Sequence, residues 1–502
     1  MTNTTSYVLG IDMGTGSTKS VAVNIRGEVI TTSQVSYPSI TPAPGLNEQA
    51  PELVWQAFVK CILRIVMEIG RPPEAIALSS AMHSVIPLDQ SGTPLMNMMT
   101  WADNRSAQIA ERIRSSQDGE SIYMATGTPI HSMSPLGKIL WLSENDPSLF
   151  AKTAHFISIK EYIWYRLFGA FEVDYSIASA TGLFNLHSCE WHTDSLNLCG
   201  IRSDQLSKPV PVSHTRRDIN STLCEQLKIP PNTPIVIGSS DGCLANIGSY
   251  ATAPGVASLT IGTSGAIRVS SRTPKLNYKA MTFCYRITDT LFICGGPINN
   301  GGGALRWFAE NVLKTKLNSG SDYEKLLTPI EKIKPASEGV LFIPYLLGER
   351  APHWDSRASA LFFGLRQYHT NHHLTRAVVE GISMALYSIM QAMEHAGLSI
   401  DRINVSGGFV HSAIWLQILA DVFNKEVHLI HEDDASAIGA AYLGLTTLKL
   451  ANVDQDFRRP NDKVFLPQPA HHAVYHQLFQ HFVRLYDLLR EEMWSLKELT
   501  SN

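Results

Sequence analysis

Long apolar runs and paired cysteines are both missing from this sequence of 502 residues. No run of 18 or more apolar residues occurs, so we predict no transmembrane helix. The first residues, MTNTTSYVLGIDMGTG, lack a basic and an apolar segment before a cleavage site, so we expect no signal peptide. The seven cysteines are scattered and form no C-x-x-C pair, which is typical of reduced thiols. These absences together predict a cytoplasmic protein.

A strong charge and a zinc-ligand spacing are missing as well. The formal net charge is -4 and no long block of like charge occurs, so nothing favours a nucleic-acid partner. The histidines show no spacing such as H-E-x-x-H, which would indicate zinc. What is present is a globular composition with 44% hydrophobic and 17% charged residues. A chain of this length exceeds one hydrophobic core and therefore predicts two domains.

The chain opens with short strands around a glycine-rich loop. Residues 7–11 and 20–25 have the pattern of two strands, with the loop DMGTGSTK between them. Residues 29–35 predict a third strand after a turn. A helix is predicted over residues 51–69 because a proline stands at its first turn, and residues 75–80 predict a further strand.

The same construction recurs in the second half of the chain. Residues 256–261 and 266–270 have the pattern of two strands, joined by the small-residue turn Gly262-Thr263-Ser264-Gly265. A strand over residues 291–294 then precedes the string GGPINNGGGALRW and a predicted helix. This repetition predicts two related α/β domains that face a shared cleft.

The domain boundary is expected between residues 247 and 255. We therefore predict an N-terminal domain over residues 1–250 and a C-terminal domain over residues 251–455. A helical extension over residues 456–502 follows, and it contains a long amphipathic helix from residue 471 to residue 499.

Two loops have the composition of phosphate-binding loops. In the loop Asp12–Lys19, glycines let backbone N–H groups approach phosphate oxygens, and Asp12 can hold Mg²⁺ through water. This loop is not a Walker A motif, and by itself it is equally consistent with a plain hairpin turn. The turn Gly262–Gly265 is by itself more typical of a structural turn. Two such loops, one in each domain, can hold a polyphosphate from both sides.

A third motif places an acid at the end of a strand. In the string IVIGSSDG, Asp241 follows the strand and precedes a predicted helix. An aspartate at this position suits a general base that accepts a hydroxyl proton during phosphoryl transfer. It equally suits a helix N-cap, and the two roles are compatible.

Polar residues between positions 80 and 160 could bind a sugar. The string Ala81-Met82-His83-Ser84 follows a strand, and Trp101-Ala102-Asp103-Asn104-Arg105 combines an aromatic residue with an acid and a base. Such groups can hydrogen-bond sugar hydroxyls, while an indole covers an apolar sugar face. Each of these residues by itself is more often an ordinary core or surface residue.

Three longer strings resemble the FGGY family of carbohydrate kinases along essentially the whole chain. MSPLGKILWL at residues 133–142 resembles one family signature, and ALFFGL at residues 360–365 with HLTRAVVEG at residues 373–381 resembles a second. Ser406-Gly407-Gly408, followed by Trp415, Gln417, Ala420 and Asp421, resembles the adenosine-binding region. The resemblance implies an α/β fold of two actin-like ATPase (RNase H-like) domains with an interdomain active-site cleft. It also implies that the protein uses ATP and Mg²⁺ as its cofactors.

The resemblance also implies residue roles. Asp241 would be the catalytic base, which also touches the acceptor, and Asp12 would be the Mg²⁺-associated aspartate. Residues expected to bind the nucleotide and its metal are Asp12, Gly14, Thr15, Ser17, Thr18, Lys19, Gly262, Thr263, Gly303, Gly407 and Gly408. Residues expected to contact the sugar are His83, Trp101 and Asp103.

The acceptor is expected to be a sugar acid. The strings SAMHS, WADNRS, GTPIH, IKEYI and SDG resemble the gluconate-phosphorylating branch of the family. D-gluconate is thus the expected acceptor and 6-phospho-D-gluconate the expected product. An acid needs a nearby cation, and we consider Arg105 and Lys160 for that role. For both residues an internal or surface ion pair is the alternative.

Other functions stay open at this point. The same chemistry could act on xylulose or on another pentulose or polyol. An actin-like or Hsp70-like ATPase switch would share the phosphate loops, and a non-catalytic sugar sensor would share the sugar site. The intact Asp12 and Asp241 argue against a sensor. We expect a small-molecule substrate, no membrane or nucleic-acid partner, and a possible homodimer.

Overall fold

The fold comes from a computed structural model, in which the structure describes residues 6–430, 434–451 and 463–499. The chain divides into two compact units. The first unit lies within three stretches: Met1–Gly248, Ser271–Ile293 and Asp434–Arg459. The second unit lies within three others: Ser249–Ser270, Cys294–Asp433 and Pro460–Asn502. The predicted boundary between residues 455 and 456 lies outside the described residues.

The described strands of the first unit come from its N-terminal stretch, apart from one strand that comes from the stretch Ser271–Ile293. They are β1 (Tyr7–Met13), β2 (Ser17–Asn24), β3 (Val29–Ser36), β4 (Glu48–Gln49), β5 (Ala75–Ser80), β6 (Ile86–Leu88), β7 (Met98–Met99), β8 (His155–Ile157), β9 (Glu172–Asp174), β10 (Phe184–Asn185), β11 (Glu190–Trp191), β12 (Lys208–Val210), β13 (Thr215–Arg216), β14 (Ile235–Ser240) and β17 (Phe283–Thr288).

The described helices of the first unit surround these strands. They are α1 (Pro51–Ile69), α2 (Ala107–Ser115), α3 (Asp118–Thr126), α4 (Pro135–Asn145), α5 (Pro147–Lys152), α6 (Ile159–Phe168), α7 (Tyr175–Ser179), α8 (Thr193–Cys199), α9 (Ser221–Leu227), α10 (Asp241–Gly248) and α15 (Ala435–Thr447).

A sheet in the order β13–β14–β5–β1–β2–β3 forms the centre of the first unit. β1 is antiparallel to β2 and parallel to β5, and β14 is parallel to β5. The apolar residues of β1 and β5 are buried because both faces of these central strands are covered. The apolar face of α1, with Phe58 and Ile62 fully buried, packs into the same core. The predicted helix over residues 51–69 is confirmed with the same bounds.

Helix α15 approaches the rest of the first unit at backbone distance. A Cβ atom added at Gly10 of β1 would lie 1.9 Å from the carbonyl oxygen of Ala437. A Cβ atom at Gly439 would lie 2.0 Å from the carbonyl oxygen of Leu244 in α10. Only glycine permits such contacts, so these residues bring the first turn of α15 against α10 and β1.

The described elements of the second unit are also α/β in pattern. They are β15 (Gly255–Ile261), β16 (Gly265–Ser271), β18 (Leu291–Ile298), β19 (Leu341–Ile343), β20 (Leu361–Phe363), β21 (Ile400–Ser406), β22 (Glu426–Leu429) and β23 (Lys463–Phe465), with helices α11 (Gly302–Trp307), α12 (Gly320–Leu327), α13 (Asn371–His395), α14 (Ala413–Phe423) and α16 (Pro469–Leu499).

The strands of the second unit follow the spatial order β18–β16–β15–β21–β22–β23. β15 is antiparallel to β16 and parallel to β21, which repeats the relation of β1 to β2 and β5. The predicted repetition of a strand, a small-residue turn and a returning strand is thus confirmed in both halves. This pattern places the second small-residue turn at the carboxyl end of β15.

The last helix, α16, packs through one apolar face. Tyr475, Phe479, Phe482 and Tyr486 are buried on that face, whereas residues such as Leu488 are exposed. The hydroxyl of Tyr475 donates to Glu380 of α13 at 2.7 Å. The predicted amphipathic helix is therefore confirmed, and it begins two residues earlier than expected, at Pro469. Among the residues that the structure describes, no helix is long and apolar enough to cross a membrane.

Candidate active site

Three parallel strands of the first unit bring the predicted catalytic residues to one sheet edge. Met13 of β1 pairs with Ser80 of β5, and Ser240 of β14 pairs with the same serine. Because adjacent strands lie about 4.8 Å apart and β5 lies between β1 and β14, the strand ends that carry Asp12 and Asp241 are roughly 10 Å apart. The carboxyl ends of parallel strands are the usual binding edge of an α/β sheet.

Asp12 lies in a site with excess negative charge. Its Oδ1 accepts a hydrogen bond of 2.6 Å from the Ser79 hydroxyl. Burial, together with the nearby charge of Asp241, raises the pKa of Asp12 to about 7, although Ser79 and Lys19 act in the opposite direction. Two facing carboxylates fit a divalent cation that uses one or two protein carboxylates and otherwise water and phosphate oxygens. The described residues contain no group of three or more His, Cys, Asp or Glu side chains arranged around a metal.

The turn after Asp12 is held from three sides. The Tyr37 hydroxyl donates to the carbonyl oxygen of Gly14 at 2.6 Å. The Gln49 amide donates to the carbonyl oxygen of Thr15, and the Trp101 indole donates to the Thr15 hydroxyl at 2.8 Å. The structure thus brings together Thr15, from the predicted phosphate loop, and Trp101, from the predicted sugar site.

The strand after this turn is less suited to bind phosphate. Thr18 is fully buried, and its Oγ1 lies 3.4 Å from the Tyr37 hydroxyl. The Ser17 hydroxyl accepts a hydrogen bond of 2.9 Å from Gln34. The ammonium of Lys19 forms an ion pair of 2.6 Å with Asp434, just before α15. Any role of Thr18 in nucleotide binding is therefore indirect, through the shape of the turn.

A pocket lies beside this turn in the first unit. Gly14, Thr15 and Trp101 line it, together with Gln49 and Ser84. The remaining lining residues are apolar apart from one threonine: Met13, Val54, Ala81, Met82, Met98, Thr100 and Ile159. All residues that line this pocket in the described part of the chain are uncharged. The cation that we expected beside the acceptor is thus absent from this lining.

His83 is held in one orientation. Its φ of 67° is rare for a residue with a side chain, and it places the ring against the carbonyl oxygen of Ala180, 2.8 Å from Nδ1. Since a carbonyl only accepts, Nδ1 carries the hydrogen, and Nε2 lies 3.4 Å from the Tyr285 hydroxyl. The ring is thus fixed as an Nδ1–H tautomer at the end of β5.

Asp103 and Arg105 form an internal cluster. Asp103 Oδ1 accepts from the Arg105 backbone at 3.1 Å and from Arg105 Nε at 2.8 Å. Its Oδ2 accepts from the Asn47 backbone and from Arg105 Nη2, both at 2.8 Å. A carboxylate has about four acceptor positions, so all of them are used. Asp103 is also fully buried, which argues against its expected contact with a sugar hydroxyl.

Arg105 is likewise bound by internal partners. Its Nη2 also donates to Glu48 at 2.6 Å, its guanidinium lies over the Trp141 ring at 5.1 Å, and 6% of its side chain is exposed. Burial lowers the pKa of Arg105, but the hydrogen bonds that its guanidinium donates to the carboxylates of Asp103 and Glu48 raise this pKa above its ordinary value. One cation with two anions has a net charge of about −1. The expected attraction of a substrate carboxylate to Arg105 is therefore not supported.

Lys160 lies in the interior instead of at the pocket. Its ammonium donates to Asp174 at 2.7 Å and to the carbonyl oxygen of Ser239 at 2.9 Å. Burial lowers the pKa of Lys160, and the charge of Asp174 opposes that shift. This is the internal ion pair that the sequence left open as the alternative to substrate binding, and it places Lys160 behind Asp241.

Asp241 begins helix α10 directly after β14. Its Oδ1 accepts a hydrogen bond of 2.6 Å from the backbone of Gly242, and the Ser436 hydroxyl donates to its carbonyl oxygen at 3.0 Å. Asp241 is therefore the first residue of a helix, and it stands at the same sheet edge as Asp12.

The second unit presents its own glycine-rich turns at strand ends. The backbones of Gly302 and Gly303 donate to the carbonyl oxygens of Gly262 and Thr263 at 2.7 and 3.0 Å. A Cβ atom at Gly303 would lie 2.9 Å from the Thr263 carbonyl, so glycine is required there. A Cβ atom at Gly262 would meet nothing within 4 Å, which leaves space for a phosphate beside the turn.

Gly407 and Gly408 follow the parallel strand next to this turn. Thr260 of β15 pairs with Ser406 of β21, so both glycine turns follow adjacent strand ends. Gly407 has a φ of 107°, a conformation that favours glycine, and a Cβ atom at Gly408 would meet nothing within 4 Å. The five predicted glycine and threonine positions of the second unit therefore lie at one edge of its sheet.

Sequence reasoning missed Tyr37, Gln49 and Asp434. Tyr37 and Gln49 hold the first turn, and Asp434 pairs with Lys19 across 415 positions of sequence. A signal for Gln49 was available, since the polar string Asn47-Glu48-Gln49 stands one residue away from the proline that opens α1. No local pattern indicates the pairing of Asp434, because it arises from the packing of α15.

Comparison with known proteins agrees with this arrangement. The N-terminal domain model of the FGGY family of carbohydrate kinases matches residues 7–248, and its C-terminal domain model matches residues 257–448. A gluconokinase of Bacillus licheniformis is 42% identical over 448 residues, which cover 88% of this chain and 87% of that protein.

Two solved structures are similar over nearly the whole chain. A gluconate kinase from Lactobacillus acidophilus has a TM-score of 0.91 at 33% identity, and the match covers 96% of this chain and 98% of that one. A ligand-bound xylulose kinase from Lactobacillus acidophilus has a TM-score of 0.92 at 32% identity, with 97% and 98% covered.

The fold and the paired glycine turns define a two-domain α/β enzyme of the actin-like ATPase class. More specifically, the chain belongs to the FGGY family of carbohydrate kinases. The family implies ATP as the phosphoryl donor and a small molecule as the acceptor.

Proposed function

We propose that this kinase transfers the γ-phosphoryl group of ATP to D-gluconate and releases 6-phospho-D-gluconate. The observation that carries the reaction is the meeting of Asp12, Asp241 and the Trp101–Thr15 contact around one sheet edge. The acceptor is supported by the similarity to a gluconokinase at 42% identity and to a gluconate kinase structure.

Asp241 acts as the general base in this proposal. Its carboxylate accepts the proton of the acceptor's O6 hydroxyl while that oxygen attacks the γ-phosphorus. The helix N-terminus at Asp241 and the Gly242 backbone hydrogen bond fix the orientation of the carboxylate before the acceptor arrives. Orientation of this kind lowers the activation barrier because the hydroxyl and the carboxylate that accepts its proton lose little further entropy when they align.

The glycine turns bind the phosphate chain. Backbone N–H groups around Thr15 and around Thr263 present donors that stabilise charge on phosphate oxygens. Asp12 would hold Mg²⁺ through water, and the excess negative charge at Asp12 fits that ion. Mg²⁺, when bound with ATP, neutralises charge on the phosphate oxygens during transfer.

The acceptor occupies the pocket beside Thr15 and Trp101. The Trp101 indole covers an apolar face of the polyol chain, and Gln49 and Ser84 supply polar groups. A contact of His83 with an acceptor hydroxyl takes the place of the Tyr285 hydroxyl at Nε2, because Nδ1 is used by Ala180. Asp103 and Arg105 act indirectly, since they order the loop that carries Asn47 and Gln49.

A neutral ketose is the second candidate acceptor. Two observations favour it: the pocket lining is uncharged, and a xylulose kinase structure is as similar in fold as the gluconate kinase structure. Against it, the gluconokinase relative is 42% identical, whereas the xylulose kinase structure is 32% identical.

A coupled ADP-release assay distinguishes these acceptors. The purified chain is supplied with Mg·ATP and, in parallel, with gluconate, xylulose, ribulose or glycerol. We expect gluconate to give the highest kcat/KM, by about 10²-fold or more over the neutral acceptors. Preference for a neutral ketose would remove the gluconate assignment and keep the kinase. ATP hydrolysis that no sugar stimulates would remove both.

Cytoplasmic location and a homodimer stay predictions that accompany this function. Sedimentation of the purified chain tests the homodimer, with a single species of 55.4 kDa as the result that would exclude it.

A further inference from the structure

The strand that delivers Asp241 changes its hydrogen-bond partners before it ends. Ile235 and Val236 of β14 pair with Arg216 and Thr215 of β13, where β13 ends. Ile237 and Gly238 then donate to the carbonyl oxygens of His214 and Val212 at 2.9 and 3.1 Å. On the β13 side of β14, Ser239 and Ser240, the last two residues before Asp241, therefore lie beyond the end of β13.

The strand is also irregular just before its end. Its pairing with β5 shifts register between Val236 and Ser239. Gly238 has a φ of 71°, and a Cβ atom there would lie 1.7 Å from the carbonyl oxygen of Leu78. This bulge turns the chain toward Asp241, and a bulged strand end needs other contacts to fix its direction.

Two side chains take the place of the missing neighbour. Lys160 donates to the carbonyl oxygen of Ser239 at 2.9 Å. The Ser176 hydroxyl accepts from the Ser240 backbone at 2.8 Å and from the Ser239 hydroxyl at 2.7 Å. The backbone groups immediately before Asp241 are thus bound by side chains from α6 and α7.

Asp174 joins these two side chains. Its Oδ2 accepts from Lys160 at 2.7 Å, and its Oδ1 accepts from the hydroxyl and the backbone of Ser176. The Ser176 hydroxyl therefore donates once and accepts twice, which uses its full capacity. Lys160, Asp174, Ser176 and Ser239 are all nearly or fully buried, so water does not compete for these bonds.

The same short helix also reaches the acceptor side. α7 begins at the Asp174 cap, and the residue after its end, Ala180, accepts the hydrogen bond from His83 Nδ1. The segment from Asp174 to Ala180 thus contacts both the backbone before Asp241 and the ring of His83.

We propose that Lys160, Asp174 and Ser176 are positioning residues that fix the distance between the base Asp241 and the acceptor contact His83. None of the three side chains lines the pocket beside Thr15 and Trp101. They act through the backbone of Ser239 and Ser240. This proposal rests on the proposed function in taking Asp241 as the base and His83 as an acceptor contact.

The variant Ser176→Ala tests the proposal with the smallest change. It removes the acceptor of the Ser240 N–H but no charge. Ser195→Ala is the matched control, because Ser195 of α8 is equally buried, belongs to the same unit and has its hydroxyl 2.9 Å from Nδ1 of His192. The readouts are kcat, KM for ATP, KM for gluconate and the thermal midpoint of each purified variant.

We expect Ser176→Ala to lower kcat about 10-fold with both KM values within about twofold of wild type, because a displaced base affects the chemical step. Lys160→Met is expected to lower kcat further, by about 10²-fold. Ser195→Ala is expected to keep kcat and to change only the thermal midpoint.

A kcat of Ser176→Ala equal to that of Ser195→Ala overturns the proposal, as does a rise in either KM with kcat unchanged. If Lys160→Met does not fold, Ser176→Ala decides the question. The wild-type chain in the same assay distinguishes a failure of the proposed function from a failure of the positioning role. If it phosphorylates no sugar acid, the proposed function fails; if it is active and Ser176→Ala matches it, the positioning role alone fails.

Discussion

The indole Nε1 of Trp101 donates a hydrogen bond of 2.8 Å to the hydroxyl oxygen of Thr15. One residue lines the acceptor pocket and the other belongs to the turn that follows Asp12. The bond therefore links the group expected to cover the sugar with the loop expected to bind the phosphate. A substitution of either residue is therefore expected to affect both the acceptor pocket and the phosphate loop.

A double-mutant cycle tests this link. Trp101→Phe and Thr15→Val each remove the bond, and we expect each to lower kcat/KM about 10-fold. The double variant should lose little more than either single variant, because the bond can be removed only once. Thr15→Ser keeps the hydroxyl and serves as the control, with activity near wild type. Effects that add in full would show that the two residues act independently.

Asp12→Asn should weaken the use of magnesium. The neutral amide removes one of the two facing carboxylates, and we expect the Mg²⁺ concentration for half-maximal rate to rise about 10-fold. Ser79→Ala, which removes only the hydrogen bond to Asp12 Oδ1, is the control and should move that concentration less. An unchanged Mg²⁺ dependence in Asp12→Asn would exclude Asp12 from the metal site.

Gly439→Ala should destabilise the first unit. Helix propensity alone would favour alanine by about 1 kcal/mol. However, the added Cβ would lie 2.0 Å from the Leu244 carbonyl oxygen, so α10 and α15 must separate. We expect a net loss of about 1–3 kcal/mol, seen as a lower thermal midpoint. The control is Gly320→Ala, where a Cβ meets nothing within 4 Å. Equal midpoints for both variants would contradict the close packing of α15.

The buried ammonium of Lys138 predicts a pH dependence of stability. Lys138 donates to the carbonyl oxygens of His83, Thr100 and Met133 at 2.6, 2.6 and 2.9 Å. Burial and the charge of Arg105 lower its pKa from 10.5 to about 7, although Asp103 opposes the shift. Between these two pH values the unfolded chain binds the extra proton, so stability rises with pH.

The cost of burying the Lys138 charge is therefore fully present below about pH 7 and is relieved toward higher pH. We expect the free energy of unfolding to rise between pH 7.5 and 9 by up to about 1.4 kcal/mol per pH unit from this group. Lys138→Met should lose that rise, and Lys60→Met, at an exposed position of α1, should keep it. The same slope in all three proteins would contradict the prediction.

Much of the fold was predictable from local pattern. These features depend on neighbouring residues only: the apolar run of β1, the strand pattern around each glycine turn and the proline that opens α1. Asp12 and Asp241 were each predicted at the end of a strand, whereas the strand order that brings these two ends to one edge follows from tertiary packing. The shared cleft between the two domains stays a prediction.

The sequence was least informative about charged side chains. Asp103, Arg105 and Lys160 have the residue types of a sugar-acid site, but each is bound by a partner that sequence spacing does not reveal. Lys160 meets Asp174 and the backbone of Ser239, 79 positions away. Whether a buried charge faces a ligand or another residue is decided by tertiary packing, and local composition is the same in both cases.

Turnover of gluconate by the variant Asp241→Asn tests the central claim most directly. The measurement is 6-phosphogluconate formation under saturating Mg·ATP and gluconate, beside wild type, with binding of both substrates followed by calorimetry. We predict that kcat falls by about 10²-fold or more while both dissociation constants stay near wild type, because the amide orients the acceptor but cannot accept its proton. Near-wild-type turnover in Asp241→Asn would contradict the account.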